Sequence, residues 1–259
     1  MNQLSGECLL IGDVAGQYEA LMSLLKSCPD VLPVSVGDMI DRGHDSKKVV
    51  DFFRDHGKRL KGNHEHMCVD FIQDRKYYGS GIWFRNGGEA TVESYLGESI
   101  RDLETEFWNE YEDGSAQDFN NEIREKLKAT GLDKELDDLP LYFELDGGGI
   151  VTHAPIRAGL TLDTVCELGV RGFTSFSKAE AKADQSVIWN RYPPCKMEGK
   201  YQIFGHNSMW GHCFMKHDED SNLSRDNFKE PWGVCLDDSR AMRLTAMHWP
   251  SKKIYQEVF

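Results

Sequence analysis

Five short strand-like runs in this chain each stop at a turn that offers a metal-type ligand. Leu9-Leu10-Ile11 runs into Gly12-Asp13, and Val34-Ser35-Val36 into Gly37-Asp38. Arg59-Leu60-Lys61 leads to Gly62-Asn63-His64-Glu65, Ile150-Val151-Thr152 to His153, and Gln202-Ile203-Phe204 to Gly205-His206. In open α/β sheets, ligands bind in the crevice beyond the carboxyl ends of the strands. A chain that sends Asp, Asp, Asn, His and His to such ends is constrained to a fold that gathers those ends. Carboxylate oxygen and neutral imidazole together suit Mn, Fe or Zn better than Ca. Singly, a Gly-Asp pair after a strand is usually only a turn, and a histidine beside glycine usually a bonded loop residue. The ordered set is what argues for a site. The remaining histidines (His44, His56, His66, His212, His217, His248) are read as structural or surface groups.

At 259 residues the chain is long enough for a full core and fits a single domain of α/β type over 1–259. Its apolar stretches fall far short of a membrane span, so no membrane association is expected. Met1 to Glu7 lacks the basic start and apolar core of a signal peptide, which points to the cytoplasm. Seven cysteines, an odd number without a C-x-x-C pair, fit reduced thiols there. A net charge of −13 argues against nonspecific nucleic-acid binding, which needs lysine and arginine to neutralise phosphates. It leaves a phosphorylated substrate open, because bound cations and local arginines can reverse the field inside one cleft.

Helical spacing of Tyr18, Leu21, Met22 and Leu25 after the first aspartate opens the fold with a strand–loop–helix unit. A second unit follows, with Ser46 as N-cap, Val49, Val50 and Phe53 as the buried stripe, and Gly57 as the stop. A third helix follows His64 and uses Met67, Phe71 and Ile72. Residues 98–138 are mostly acidic; Phe119, Ile123 and Leu127 mark an amphipathic helix closed by Gly131, read as a helical insertion. It either walls the cleft or is a solvated face. Strand-type runs return at 141–145, 150–152, 187–189, 202–204, 234–236 and 242–246, the last two read as a hairpin around Asp238-Ser239-Arg240. The expected architecture is a sandwich of two mixed sheets with outer helices.

Asp38, just beyond its strand, is placed to bridge two ions, and a bridged pair roughly 3.5–4 Å apart suits in-line displacement at phosphorus. Asn63 is a neutral oxygen ligand, and His153 and His206 are imidazole ligands. His64 faces the same cleft without binding metal and is placed to protonate a departing oxygen, with Asp41 orienting it. Arg42 offers a planar fork to phosphate oxygens.

The segments Gly12-Asp13-Val14-Ala15-Gly16, Gly37-Asp38-Met39-Ile40-Asp41-Arg42-Gly43 and Gly62-Asn63-His64-Glu65 resemble the signature of the calcineurin-like metallophosphoesterases. The resemblance is to the bacterial and phage branch of the phosphoprotein phosphatases. It continues through Ile82–Gly88, Leu139–Leu141, Thr152-His153-Ala154, Val187–Arg191, Phe204-Gly205-His206 and Leu236-Asp237. It implies a four-layer α/β/β/α sandwich and a phosphomonoesterase using two divalent ions. Manganese is usual in that branch, with iron, zinc or magnesium as alternatives. By motif match, Asp13 and Asp38 hold the first ion, and Asp38, Asn63, His153 and His206 the second. Arg42 and Arg191 clamp the phosphate, and His64 with Asp41 forms the acid pair. The implied reaction is direct attack on phosphorus by a metal-bridging hydroxide.

One position departs from the pattern. The family's first motif carries a metal-binding histidine where this chain has Ala15, and the position two after His206 is Ser208. A methyl group cannot coordinate, so the first site is expected to be weakened. Three explanations stand side by side: a natural variant, a chain altered to slow turnover, or a phospho-binding protein that no longer cleaves. The leading substrate class is phosphoserine and phosphothreonine in proteins, with dual specificity toward phosphotyrosine open. Dinucleoside polyphosphates are the alternative. Diadenosine tetraphosphatases tend to carry alanine at position 41 and aspartate at position 65, where Asp41 and Glu65 follow the protein phosphatases. Tyr192-Pro193-Pro194 and His206–Trp210 are expected at the cleft edge.

Overall fold

In the computed structural model, the structure describes residues 2–75, 80–97, 115–156, 162, 186–191, 194, 196–209, 211, 213–215, 223–224 and 231–259. Strands β1 (Gln3–Leu4), β2 (Cys8–Ile11), β3 (Leu32–Ser35) and β4 (Lys58–Arg59) alternate with helices α1 (Tyr18–Ser27) and α2 (Ser46–His56). Helices α3 (Asn63–Ile72), α4 (Ser80–Arg85), α5 (Gly88–Leu96), α6 (Ser115–Ala129) and α7 (Leu132–Asp137) follow. The chain then returns to strands: β5 (Tyr142–Leu145), β6 (Gly149–Thr152), β7 (Tyr201–Phe204), β8 (Cys213–Met215), β9 (Leu223–Ser224), β10 (Gly233–Cys235), β11 (Arg243–Trp249) and β12 (Lys253–Val258).

Two mixed sheets result. One has five strands in the order β12-β11-β2-β3-β4, with β2, β3 and β4 parallel. The other has seven in the order β1-β5-β6-β7-β10-β8-β9, with β6, β7 and β10 parallel. Side chains alternate along β2, and both faces are covered. Cys8 and Leu10 turn to the space between the sheets with Val34, Leu60, Val151, Ile203 and Val234. Leu9 and Ile11 face Leu21, Leu24, Val49 and Phe53 of the helices. A strand buried on both faces reads as an unbroken apolar run, which is why β2 is so plain in the sequence. Each such leucine or isoleucine contributes about 1.5–3 kcal/mol by leaving water.

The acidic segment divides. Residues 98–114 lie outside the described residues, whereas α6 and α7 bury Ile123, Leu127, Leu132 and Leu136 in the same core as α3. This part is therefore packed against the fold rather than solvated all round. Helices cover the outer face of the five-stranded sheet. On the far side of the other sheet, Ile150 packs with Ile156, Val187 and Ile188. Residues 157–161 and 163–185 lie outside the described residues.

Three expectations are corrected. Residues 187–189 form a turn rather than a strand, their apolar character serving to cover Ile150. Residues 234–236 and 242–246 do not form a hairpin, since β10 and β11 belong to different sheets and Ser239–Ala241 is a single 3-10 turn crossing between them. The hairpin partner of β11 is β12, which has no fully buried residue and half its residues exposed, so its strand pattern is concealed. Ser46 is not the N-cap of α2. Asp45 precedes the helix, and the Ser46 hydroxyl accepts the Asp41 backbone N–H at 3.0 Å.

Candidate functional site

Each ligand-type residue follows a strand end. Asp13 follows β2, Asp38 follows β3, Asn63 begins α3 after β4, His153 follows β6 directly, and His206 follows β7. Backbone bonds lace these loops together: Ala15 N–H to the Asp38 carbonyl at 2.8 Å, and Gly205 N–H to the His153 carbonyl at 2.8 Å. Two glycines are demanded by the closeness of the loops. Gly37 has φ +103°, and a Cβ there would lie 2.7 Å from His153 Nδ1. A Cβ on Gly62 would lie 2.2 Å from Asp38 Oδ1. The Glu65 carboxylate fixes the turn from below, accepting the N–H groups of Asp38 (2.9 Å), Met39 (2.7 Å) and Gly62 (2.8 Å).

Candidate ligand atoms of Asp38, His153 and His206 all lie within 4.8 Å of one another, and all three residues are buried. Asn63 Oδ1 sits among them, 3.0 Å from His153 Nε2 and 2.6 Å from His206 Nδ1. His153 Nδ1 lies 3.0 Å from the Val36 carbonyl, so its N–H points there and Nε2 is left for the crevice. Asp13 lies alongside, accepting the His206 backbone N–H at 3.2 Å on each oxygen. Among the described residues, neither Asp13 nor Asp38 is ion-paired with lysine or arginine, although both are buried. Asp38 is met instead by the imidazoles of His153 and His64, whereas Asp13 has no such partner among the described residues, and a buried carboxylate without a cation is costly. The donor set of carboxylate, amide oxygen and imidazole therefore fits a divalent ion chemically.

The titration of these groups carries the same imprint. Burial, then the charges of Asp237 and Asp38, push the Asp13 carboxyl well above the ordinary range. Burial would raise Asp38 too, but the charges of His153 and His64 hold it below that range. Burial alone would lower His153, yet the neighbouring Asp38 carboxylate lifts it to about 9. Burial and the His153 charge keep His206 far down, hence neutral.

A second cluster is the pair His64–Asp41. His64 Nδ1 lies 2.6 Å from Asp41 Oδ2, and its Nε2 lies 3.0 Å from Arg42 Nη2 at the rim. Burial works to lower His64, but the charges of Asp38 and Asp41 outweigh it and raise its pKa. Arg191 is exposed, with its backbone carbonyl accepting from the Asn207 side chain at 3.3 Å. Its charge acts on His206, so it stands near the same crevice. Ala15 is buried with φ +47°, its methyl adding no donor atom. His212, Tyr192, Pro193 and Trp210 lie outside the described residues.

Ala15, Asp38, Asp41, Arg42 and His206 all hold positive φ. Such backbone costs about 1–3 kcal/mol per residue, and persists where the surroundings over-determine it, which is commonest at functional sites. The sequence reading gave Glu65 no role, though its position three residues into a helix start is a recognisable capping spacing. Trp83, Thr91 and Trp189 were also given none. Trp189 packs edge-on to His206 with ring centroids 6.4 Å apart and donates to His66 Nδ1 at 3.2 Å.

Residues 8–220, most of the chain, match the family model described as calcineurin-like phosphoesterase. The chain belongs to that family. A serine/threonine-protein phosphatase 1 of Salmonella typhimurium is 38% identical over 86 residues, 31% of this chain and 38% of that protein. The aligned segment thus spans less than half of the curated relative. Among solved structures, a putative diadenosine tetraphosphatase superposes with TM-score 0.58 at 17% identity, covering 100% of this chain and 98% of that one. A cold-active protein-tyrosine phosphatase of Shewanella sp. gives 0.52 at 17%, covering 95% and 77%. At these identities the likeness shows the fold alone. No helix of the described residues is long and apolar enough to cross a membrane.

Proposed function

We propose that this chain is a metal-dependent phosphomonoesterase acting on phosphoserine and phosphothreonine in proteins. The observation that carries the reading is the meeting, in one buried crevice, of Asp38, Asn63, His153 and His206 with the bonded pair His64–Asp41. Asp13 and Asp38 would hold one divalent ion, and Asp38, Asn63, His153 and His206 the other, manganese being the first candidate. Bound there, such ions polarise the phosphoryl oxygens and lower the pKa of water. Arg42 and Arg191 take the remaining phosphate oxygens, Arg42 giving up its contact with His64 Nε2 as substrate enters. Protonated His64 then delivers a proton from Nε2 to the departing oxygen, while Nδ1–H stays directed at Asp41.

The branch likeness to bacterial and phage protein phosphatases and the 38% identity to the Salmonella protein support the protein substrate. A second reading, hydrolysis of dinucleoside polyphosphates, has its own support in the nearly complete mutual coverage with the putative diadenosine tetraphosphatase. Asp41 favours the first, because it is the group that orients His64. Phosphate release should be compared for a phosphoserine peptide and diadenosine tetraphosphate at equal Mn²⁺. Faster turnover of the peptide is expected; the reverse order would make the nucleotide reading the right one.

A further inference from the structure

Asp41 is fully buried, and its carboxylate is fastened by two side chains from helices with no other part in the site. Trp83, on α4, directs its indole N–H at both carboxylate oxygens, 3.2 Å from Oδ1 and 3.0 Å from Oδ2. Thr91, on α5, donates its hydroxyl to Oδ1 at 2.6 Å and accepts the Asp41 backbone N–H at 2.9 Å. The indole cannot swing away. Phe71 and Phe84 lie against it with ring centroids 5.0 and 5.3 Å apart, and a Cβ on Gly88 would come within 2.7 Å of its ring.

We propose that Trp83 and Thr91 are positioning residues for leaving-group protonation, holding Asp41 as an acceptor so that His64 keeps its proton on Nδ1 and turns Nε2 to the crevice. Indole N–H can only donate, and the threonine hydroxyl spends its one proton on Oδ1. Oδ2, which also faces the indole N–H at 3.0 Å, keeps a lone pair for His64 Nδ1, 2.6 Å away. A carboxylate surrounded by donors fixes the tautomer of the imidazole that it meets. The inference rests on the reading of His64 as the acid. In that step the P–O electron pair passes to the departing seryl oxygen, which takes the proton from Nε2. Oxygen from water, which releases one proton to solvent, forms the new P–OH bond of the product phosphate, and neutral His64 keeps Nδ1–H.

The variants Trp83→Phe and Thr91→Val remove one donor each; valine keeps the shape of threonine, whereas phenylalanine leaves space where part of the buried indole lay. With Mn²⁺ present, kcat on a phosphoserine peptide is expected to fall about 10-fold in each, and on para-nitrophenyl phosphate by less than about 3-fold. The contrast arises because nitrophenolate departs without needing a proton. Equal losses on both substrates, or none, would overturn the proposal, since a packing defect does not sense the leaving group. A second readout is independent of turnover: the His64 Nδ1–H resonance of nitrogen-15-labelled protein. Its downfield position should move in both variants, and an unmoved resonance in both would refute the positioning. Absence of hydrolysis in the unaltered chain would instead count against the phosphatase reading, leaving that resonance to decide the role of Trp83 and Thr91.

Discussion

Changing Asp38 to asparagine is expected to lower Mn²⁺-dependent phosphate release about 10³-fold, several kcal/mol of lost electrostatic stabilisation at roughly 1.4 kcal/mol per decade. In the proposed site Asp38 is the carboxylate that would bridge the two ions. Its Oδ1 lies 3.3 Å from His153 Nε2 and accepts the His64 backbone N–H at 3.0 Å. It sits at φ +53°, a conformation that asparagine adopts as readily, so the turn should survive. The substitution removes the charge and keeps the shape. Steady-state kinetics with a thermal melt would check it: a near-normal melt with activity within about 3-fold of the unaltered chain would place the chemistry elsewhere.

His64→Ala is expected to cost about 10²–10⁴-fold on a phosphoserine peptide, the usual weight of a general acid, and much less on para-nitrophenyl phosphate. His64 is buried and touches the substrate side only through Nε2, now met by Arg42. Losing the ring would remove the proposed proton donor while leaving Asn63 and Asp38 in place. Measuring kcat on both substrates separates this role from ion binding. A loss of the same size on both would mean that His64 supports the ions rather than the leaving group.

What the sequence conveyed follows burial. β2, β3, β6 and β7 were legible because their residues are largely buried, so they stand out as apolar runs ending at glycine or histidine. β12 was not, because it is an edge strand that starts with a lysine and has half its residues exposed. Val187 and Ile188 are as apolar as a strand, yet the same character serves a buried turn. Composition does not separate the two cases.

The site divides in the same way. Residues that sit beside a glycine at a strand end can be found from local pattern, as with Asp13, Asp38 and His206. Trp83 and Thr91 reach Asp41 across 42 and 50 residues, and only the packing of α4 and α5 reveals that they do. Glu65 lies between these cases. Its capping spacing was visible, but its bonds to Asp38 and Met39 depend on β3 lying beside β4. Ala15 was legible as a departure. The structure adds that Ala15 has a left-handed backbone and that its N–H is bonded to the Asp38 carbonyl, which keeps its loop beside that of Asp38.

Calorimetric titration of Mn²⁺ into the unaltered chain and its Ala15→His form tests most directly whether these loops build a metal centre. Two ions per chain are expected, one bound more weakly, and histidine at position 15 should tighten the weaker one about 10-fold or more. Affinity should also rise with pH toward about 9, because His153 must shed the proton that Asp38 helps it to hold. No measurable Mn²⁺ binding by either form, or binding that persists undiminished in the Asp38→Asn chain, would contradict it.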